Sequence, residues 1–397
     1  LGDEDAITLD DIPQIAARTA DYQKNTTPSG GRRQQQSRIY FTDLSALQHL
    51  IVKHIAVVKM EPYVKDIFSM EELLDLIEAK KASLWGKFMT SFKQGNKQRV
   101  KELGTFGVPF DALVERNGVE SSIGVGPSPV RIPTFIEDAI LAMRQMDMSV
   151  EGVFRKNGNI RRLKELSDII DRNPSEAMLA DENPVQVAAL LKKFLREMPE
   201  PLCTFKLHRL FILSQKMDAE MERKRVLHLT LCMMPKANRD TLEVLMHFLK
   251  WAATFAQVDG KIGSKMDLTN LATVMAPNIL YSKSKDPAKH ESFMAISVVE
   301  MLLNCDDIFC FVPDDAAQLL QDPMLLDDNA NMTSKDFLRK LEAIMKARHV
   351  QANENMSDPS HGKSRQDPYS QNRQPEYPLY PRQHRYDPDQ QYSNTPG

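Results

Sequence analysis

An all-α fold is predicted by three features of this 397-residue sequence. Apolar residues recur at three- and four-residue steps over most of its length, no set of alternating strand-like segments is present, and Gly, Pro and Asn punctuate the periodic runs at intervals suited to ordinary helices. Hydrophobic residues make up 42% and charged residues 26%, enough apolar surface for a sizeable core. The expected layout is a polar lead-in over 1–37, a helical flanking region over 38–104, a main helical domain over 105–313, a helical extension over 314–349 and a polar tail over 350–397.

Each segment has its own reason. Asn25 to Ser37 carry Gly, Pro, Gln and Arg with almost nothing to bury, so the lead-in is expected to be disordered. Behind a Thr42-Asp43 cap, Leu44, Leu47, Leu50, Ile51, His54, Ile55 and Val58 share one helical face, predicting a helix to about Met60. Ser69-x-x-Glu72 has capping-box spacing before Leu73, Leu74 and Ile77, and its helix is expected to run on through Trp85, Phe88 and Phe92; the two helices read as a satellite unit. Short pieces around Gly107-Val108-Pro109 and Val130 are candidates for extended chain. Thr333 to His349 has Phe337, Leu341 and Met345 four apart, a single amphipathic helix. From Gln351 onward Pro, Gln, Asp and Arg dominate, and the tail is expected to be disordered; its Tyr-Pro steps are candidate contacts for a protein partner.

Charge and motif content exclude several functions. Lys+Arg 51 against Asp+Glu 54 leaves a formal charge of -3, which argues against a general nucleic-acid binder. No run of 18 apolar residues exists, so no membrane span is expected. Cys203, Cys232, Cys305 and Cys310 lack CxxC spacing, so neither zinc nor a disulfide framework is expected, and a reducing cytosolic compartment fits. Gly124-Val125-Gly126 is followed by Pro127 and lacks a third glycine; Gly260 to Lys265 lacks the spacing of a phosphate loop. There is no HExxH, no His/Cys cluster and no GxSxG, so no cofactor and no metal are predicted. Beginning with Leu1, the sequence reads as a fragment.

What remains is a set of polar side chains in tight settings. Asn183-Pro184 gives a cap and a first-turn proline for a helix to about Met198. Its Val187, Leu190, Leu191, Phe194 and Met198 form the buried arc, with Lys192 and Arg196 one turn apart on the opposite side. Glu151-Gly152-Val153-Phe154-Arg155-Lys156-Asn157-Gly158 reads as a rigid loop, anchored by Val153 and Phe154 with Gly152 and Gly158 on either side, that presents Arg155. A third stretch, Leu268 to Leu280, is a helix closed by Pro277-Asn278. Taken singly, these features read as a solvated basic face, a surface or capping arginine and a local amide cap.

Together they resemble the RhoGAP domain family. Phe-Gly-Val-Pro at 106–109, Gly152 to Gly158 with Arg162-Leu163-x-x-Leu166, Leu190 to Leu202 with Lys192 and Arg196, Met234-Pro235-x-x-Asn238-x-x-Thr241-Leu242, and Asn270 to Asn278 occur in the family's order over roughly 106–312. Asn157 stands where the family often has serine, and Ala276 where it often has glycine. The flanking run Leu47 to Phe92 is similar in texture to the region preceding the catalytic domain of fungal LIM-domain RhoGAPs, although no LIM module is present. The resemblance implies a RhoGAP-like helical bundle that activates GTP hydrolysis by a Rho-family GTPase in its GTP-bound form. Arg155 is then the catalytic arginine finger supplied in trans, and Lys192, Arg196 and Asn278 are GTPase-binding residues. It also implies a cytoplasmic protein recruited to the cell cortex at sites of polarised growth. The alternatives are a non-catalytic scaffold on the same fold, or an adaptor working through its tail.

Overall fold

In the computed structural model, residues 38–78, 104–258, 261–283, 289–305, 307–326 and 334–357 are described. The chain divides into two units, 1–345 and 346–397. The predicted lead-in, the Trp85 to Phe92 stretch and nearly all of the tail lie outside the described residues.

The flanking region opens with a 3-10 turn at Phe41–Asp43, followed by α1 (Ala46–Val64) and α2 (Met70–Ile77). The start of α1 corrects the expected Thr42-Asp43 cap. Ser45 is the N-cap, its hydroxyl accepting from the Gln48 amide while the Gln48 side chain accepts from the Ser45 amide. This reciprocal pair satisfies two otherwise orphaned donors, while Thr42 and Asp43 lie within the preceding 3-10 turn. The second capping box, Ser69 with Glu72, starts α2 as its spacing predicts.

Next come α3 (Phe110–Asn117), α4 (Thr134–Arg144), α5 (Ile160–Arg172), α6 (Pro184–Glu197) and α7 (His208–Ser214). A hairpin of β1 (Gly118–Ser121) and β2 (Val130–Pro133) lies between α3 and α4, antiparallel with Val119 opposite Ile132. Extended chain at Val130 therefore has a partner. The Gly124-Val125-Gly126 bend sits in this hairpin's loop, where the Val125 and Gly126 amides donate to the buried carboxylate of Glu243. That bend receives a protein carboxylate, in keeping with its lack of a phosphate-loop spacing.

The remainder is α8 (Glu220–Met233), α9 (Lys236–Ala253), a two-residue hairpin of β3 (Gln257–Val258) and β4 (Lys261–Ile262), α10 (Leu268–Ile279), α11 (Lys289–Asn304), α12 (Asp307–Cys310), α13 (Asp314–Leu320), α14 (Pro323–Leu326) and α15 (Ser334–Ser357). Helix α15 continues past the expected end at His349, because its next residues include Ala352 and Glu354 and no proline arrives before Pro359.

One apolar cluster runs from Phe41 through the main domain to Ile344, so α1 is part of the principal core and not a separate satellite. Helix α1 packs along α8 and α13. Asp315 on α13 fastens this packing by pairing with Lys59 of α1 at 3.1 Å and Arg225 of α8 at 2.7 Å. Near the start of α1, the buried Arg239 guanidinium lies 3.5 Å from His49 Nδ1 and 4.3 Å over the Phe41 ring, and it pairs with Asp240 at 2.9 Å. No described helix is long and apolar enough to cross a membrane.

The same seam holds an unfavourable charge. Lys53 is half-buried, and burial of its ammonium, with Arg239 and Lys206 nearby, pulls its pKa down to about 8. Because the unfolded chain binds that proton more tightly, stability should rise as pH climbs from about 8 towards the ordinary lysine value. Lys53→Met should raise stability at pH 7 by about 1 kcal/mol or more and should flatten this rise. Chemical denaturation of both proteins across pH 7 to about 10 checks it; parallel curves would contradict the assignment.

Candidate functional site

The site is assembled around α6. Asn183 caps this helix by accepting from the Gln186 amide at 2.9 Å, Pro184 occupies its first turn, and Val187, Leu190, Leu191 and Phe194 face the core. Phe194 lies between Phe135 of α4, at 4.7 Å between ring centroids, and Phe106, at 5.6 Å. Aromatic packing on one side fixes how α6 presents the other side to the loops above it.

The loop joining α4 to α5 carries Arg155. Gly152 has φ 79°, and Phe154, a non-glycine residue, has φ 70°. The left-handed region costs a side chain about 1–2 kcal/mol. Phe154 is only 1% exposed and packs against Phe248, so burial of its ring, worth about 1.5–3 kcal/mol, offsets that cost. Three polar anchors complete the loop. The Gly152 amide donates to the Ser264 carbonyl at 2.8 Å, the Lys156 amide to the Gly152 carbonyl at 2.8 Å, and the Lys192 ammonium to the Phe154 carbonyl. At the far end Gly158 passes so close to α6 that a Cβ would sit 2.8 Å from Gln186 Oε1, which itself accepts from the Asn159 amide.

Lys192 is thus not on a free solvated face. It is half-buried, and burial holds its pKa below the usual lysine value. A helix wheel gives the direction of a side chain but not the loop that later covers it, which is why periodicity alone placed Lys192 in solvent. One turn further along α6, Arg196 donates to the Pro277 carbonyl and stacks 4.6 Å over Tyr281. The Asn278 side-chain amide donates to the Val274 carbonyl at 2.8 Å, the local closure its position in the last turn of α10 allows. Helix α6 therefore brings the four candidates together in two steps. Lys192 touches the residue before Arg155, and Arg196 touches the residue before Asn278.

Arg155 itself is 51% exposed, and its Nη2 lies 3.6 Å from Glu151 Oε1. The same carboxylate oxygen accepts from Lys265 Nζ at 2.8 Å. This hydrogen bond from Lys265 is the main reason the Glu151 carboxyl lies below the usual range, with smaller help from Lys156 and Arg155. Sequence reasoning missed Glu151, Lys265 and Tyr281 as site residues. Glu151 adjoins the arginine loop, but the contact with Lys265 joins residues far apart in the chain, and no spacing rule reports it. No group of metal-ligating side chains is found among the described residues.

Lys192→Met should leave the helices intact but loosen the loop, since a buried carbonyl at a left-handed residue loses its charged donor. Amide hydrogen exchange at Gly152 and Lys156 should accelerate roughly tenfold relative to the α6 amides. Unchanged exchange at both amides would show that Lys192 is not an anchor.

Residues 133–284, spanning this site from α4 to just beyond α10, match the RhoGAP domain model. Over 308 residues the chain is 52% identical to Rho-type GTPase-activating protein 1 of Schizosaccharomyces pombe, covering 77% of this chain and 27% of that protein. It is 36% identical over 372 residues to Rho-GTPase-activating protein LRG1 of Saccharomyces cerevisiae, covering 80% of this chain and 35% of that protein. Human Rho GTPase-activating protein 11A is 31% identical over 214 residues, 53% of this chain and 19% of its own length. This chain thus spans well under half the length of each of these relatives. The arginine loop, α6 and the α10 terminus all lie inside the residues that match the RhoGAP domain model.

Proposed function

We propose that this protein is a GTPase-activating protein for a Rho-family GTPase in its GTP-bound form, and that Arg155 is supplied in trans as the catalytic group. The observation that carries the reading is an exposed arginine at the tip of a loop fixed on both sides, inside a RhoGAP domain. Hydrolysis of GTP spreads charge over the γ-phosphoryl and leaving oxygens, and a planar, permanently charged guanidinium placed there stabilises it. Fixing the loop beforehand removes an ordering cost from the encounter.

The other residues divide by what they touch. Lys192 steadies the loop through the Phe154 carbonyl. Arg196, exposed beyond its contacts with Pro277 and Tyr281, and Asn278 are proposed to meet the GTPase surface beside the arginine. The activity needs no cofactor of its own; nucleotide and Mg²⁺ belong to the partner. We further propose a cytoplasmic protein recruited to the cortex at sites of polarised growth. We also propose kinship with fungal LIM-domain RhoGAPs; similarity to the two fungal relatives extends well outside residues 133–284 and supports the fungal part of that reading.

Arg155→Ala should slow stimulated single-turnover hydrolysis by roughly 10³-fold or more while keeping affinity for the GTP-bound partner within about tenfold. Arg155→Lys should recover little, because an ammonium lacks the planar two-donor geometry. A folded Arg155→Ala protein with wild-type stimulation across Rho-, Rac- and Cdc42-type GTPases overturns the mechanism and favours the scaffold alternative.

Arg196→Ala should act differently, weakening association most at low ionic strength, because exposed charges act through screened fields. A variant that binds normally at every salt concentration but turns over slowly would contradict this role.

A further inference from the structure

Glu151 poses a problem for any role of Arg155 outside its own loop. In the free chain the arginine faces this carboxylate at 3.6 Å, and to reach another molecule it must leave a negative charge behind. A second cation is already in place on the same oxygen, Lys265 Nζ at 2.8 Å, closer than the arginine. Glu151 is 50% exposed and Lys265 42%, so water also reaches the pair, and the effect at stake is a modest bias between two positions of Arg155.

Lys265 is held where it can do this. It sits between β4 and α10 with φ 60°, another side chain in the left-handed region. Its amide donates to the Ala256 carbonyl at 3.2 Å, and its carbonyl accepts from the Asn270 side chain at 3.0 Å. Its neighbour Ser264, 1% exposed, accepts the Gly152 amide, so the turn carrying Lys265 is bonded directly to the loop carrying Arg155. Lysine and arginine are thereby fixed around one carboxylate by backbone contacts that depend on neither side chain.

We propose that Lys265 is a positioning residue for Arg155: by holding Glu151, it releases the arginine to extend towards the phosphoryl group of a bound GTPase. The inference rests on the arginine reading above and adds a release step to it. Without Lys265, Arg155 is the remaining cation within ion-pair distance of Glu151 among the described residues, with Lys156 acting on it from further off, and the pair between Arg155 and Glu151 tightens. Removing Glu151 as well takes away what the arginine is held by. That order of effects separates positioning from scaffolding, since a merely structural ion pair is lost equally from either side.

The test uses the full chain with GTP-loaded Rho-type GTPases, and Lys265→Met, which retains a side chain of similar length at the left-handed position. Lys265→Met should lower the single-turnover rate at saturating protein by roughly threefold, the scale of an exposed ion pair, with affinity unchanged. Glu151→Gln in that background should restore the rate, and Lys265→Arg should behave as wild type. A Lys265→Met protein with a wild-type rate, one that Glu151→Gln slows further, or one that loses affinity with its saturated rate intact would overturn the proposal. Arg155→Ala, run in parallel, tests the underlying reading: if it too retains the wild-type rate, the arginine mechanism fails; if it alone is slow, only the role of Lys265 fails. A second measurement needs no GTPase. Relaxation of the Arg155 Nε–H signal in the free chain should show a more ordered side chain in Lys265→Met and a less ordered one in Glu151→Gln. Equal order in all three proteins would also overturn it.

Discussion

The contact between the Lys192 ammonium and the Phe154 carbonyl is the constraint on which the site depends. Phe154 adopts a left-handed backbone that side chains avoid, and this conformation turns the chain so that the aromatic ring enters the core while the next residue, Arg155, leaves it. Burial of the ring supplies the free energy for the unfavourable backbone. The lysine satisfies the carbonyl that this geometry exposes to the interior. Without either, the arginine would sit on an ordinary mobile loop.

Helix α6 translates that local constraint into a site. Its apolar arc is locked among aromatic rings, so the positions one turn apart on its other side are fixed relative to each other. Lys192 reaches the arginine loop and Arg196 reaches the end of α10, where proline and asparagine close the helix. A single rigid element thus sets the spacing between a candidate catalytic group and a candidate recognition surface. Ion pairs near the surface, such as Glu151 with Arg155 and Lys265, then adjust a geometry that packing has already determined.

Much of this was legible in the sequence, and the unread parts have physical causes. The all-α class, the start of α2 at Ser69 and the boundaries of α6 follow from periodicity and capping, which are local. The Arg155 loop was legible from two glycines and two apolar anchors. The start of α1 was misplaced because Thr42, Asp43 and Ser45 are all competent caps, and only the reciprocal bond to Gln48 decides among them. The burial of Lys192, the stacking of Arg196 on Tyr281 and the sharing of Glu151 are tertiary. Each joins segments whose approach no local pattern encodes, and each changes what a charged residue does without changing its place in the sequence.

The central claim is that Arg155 acts on the transition state and not on the ground-state complex. It is tested most directly by comparing affinity for a Rho-type GTPase loaded with GDP and aluminium fluoride, which mimics the planar phosphoryl group, with affinity for the same GTPase bound to a non-hydrolysable GTP analogue. The wild-type chain should bind the aluminium fluoride form much more tightly, and Arg155→Ala should lose that preference while still binding the GTP-analogue form. An Arg155→Ala protein that keeps the full preference for the aluminium fluoride form would contradict the account.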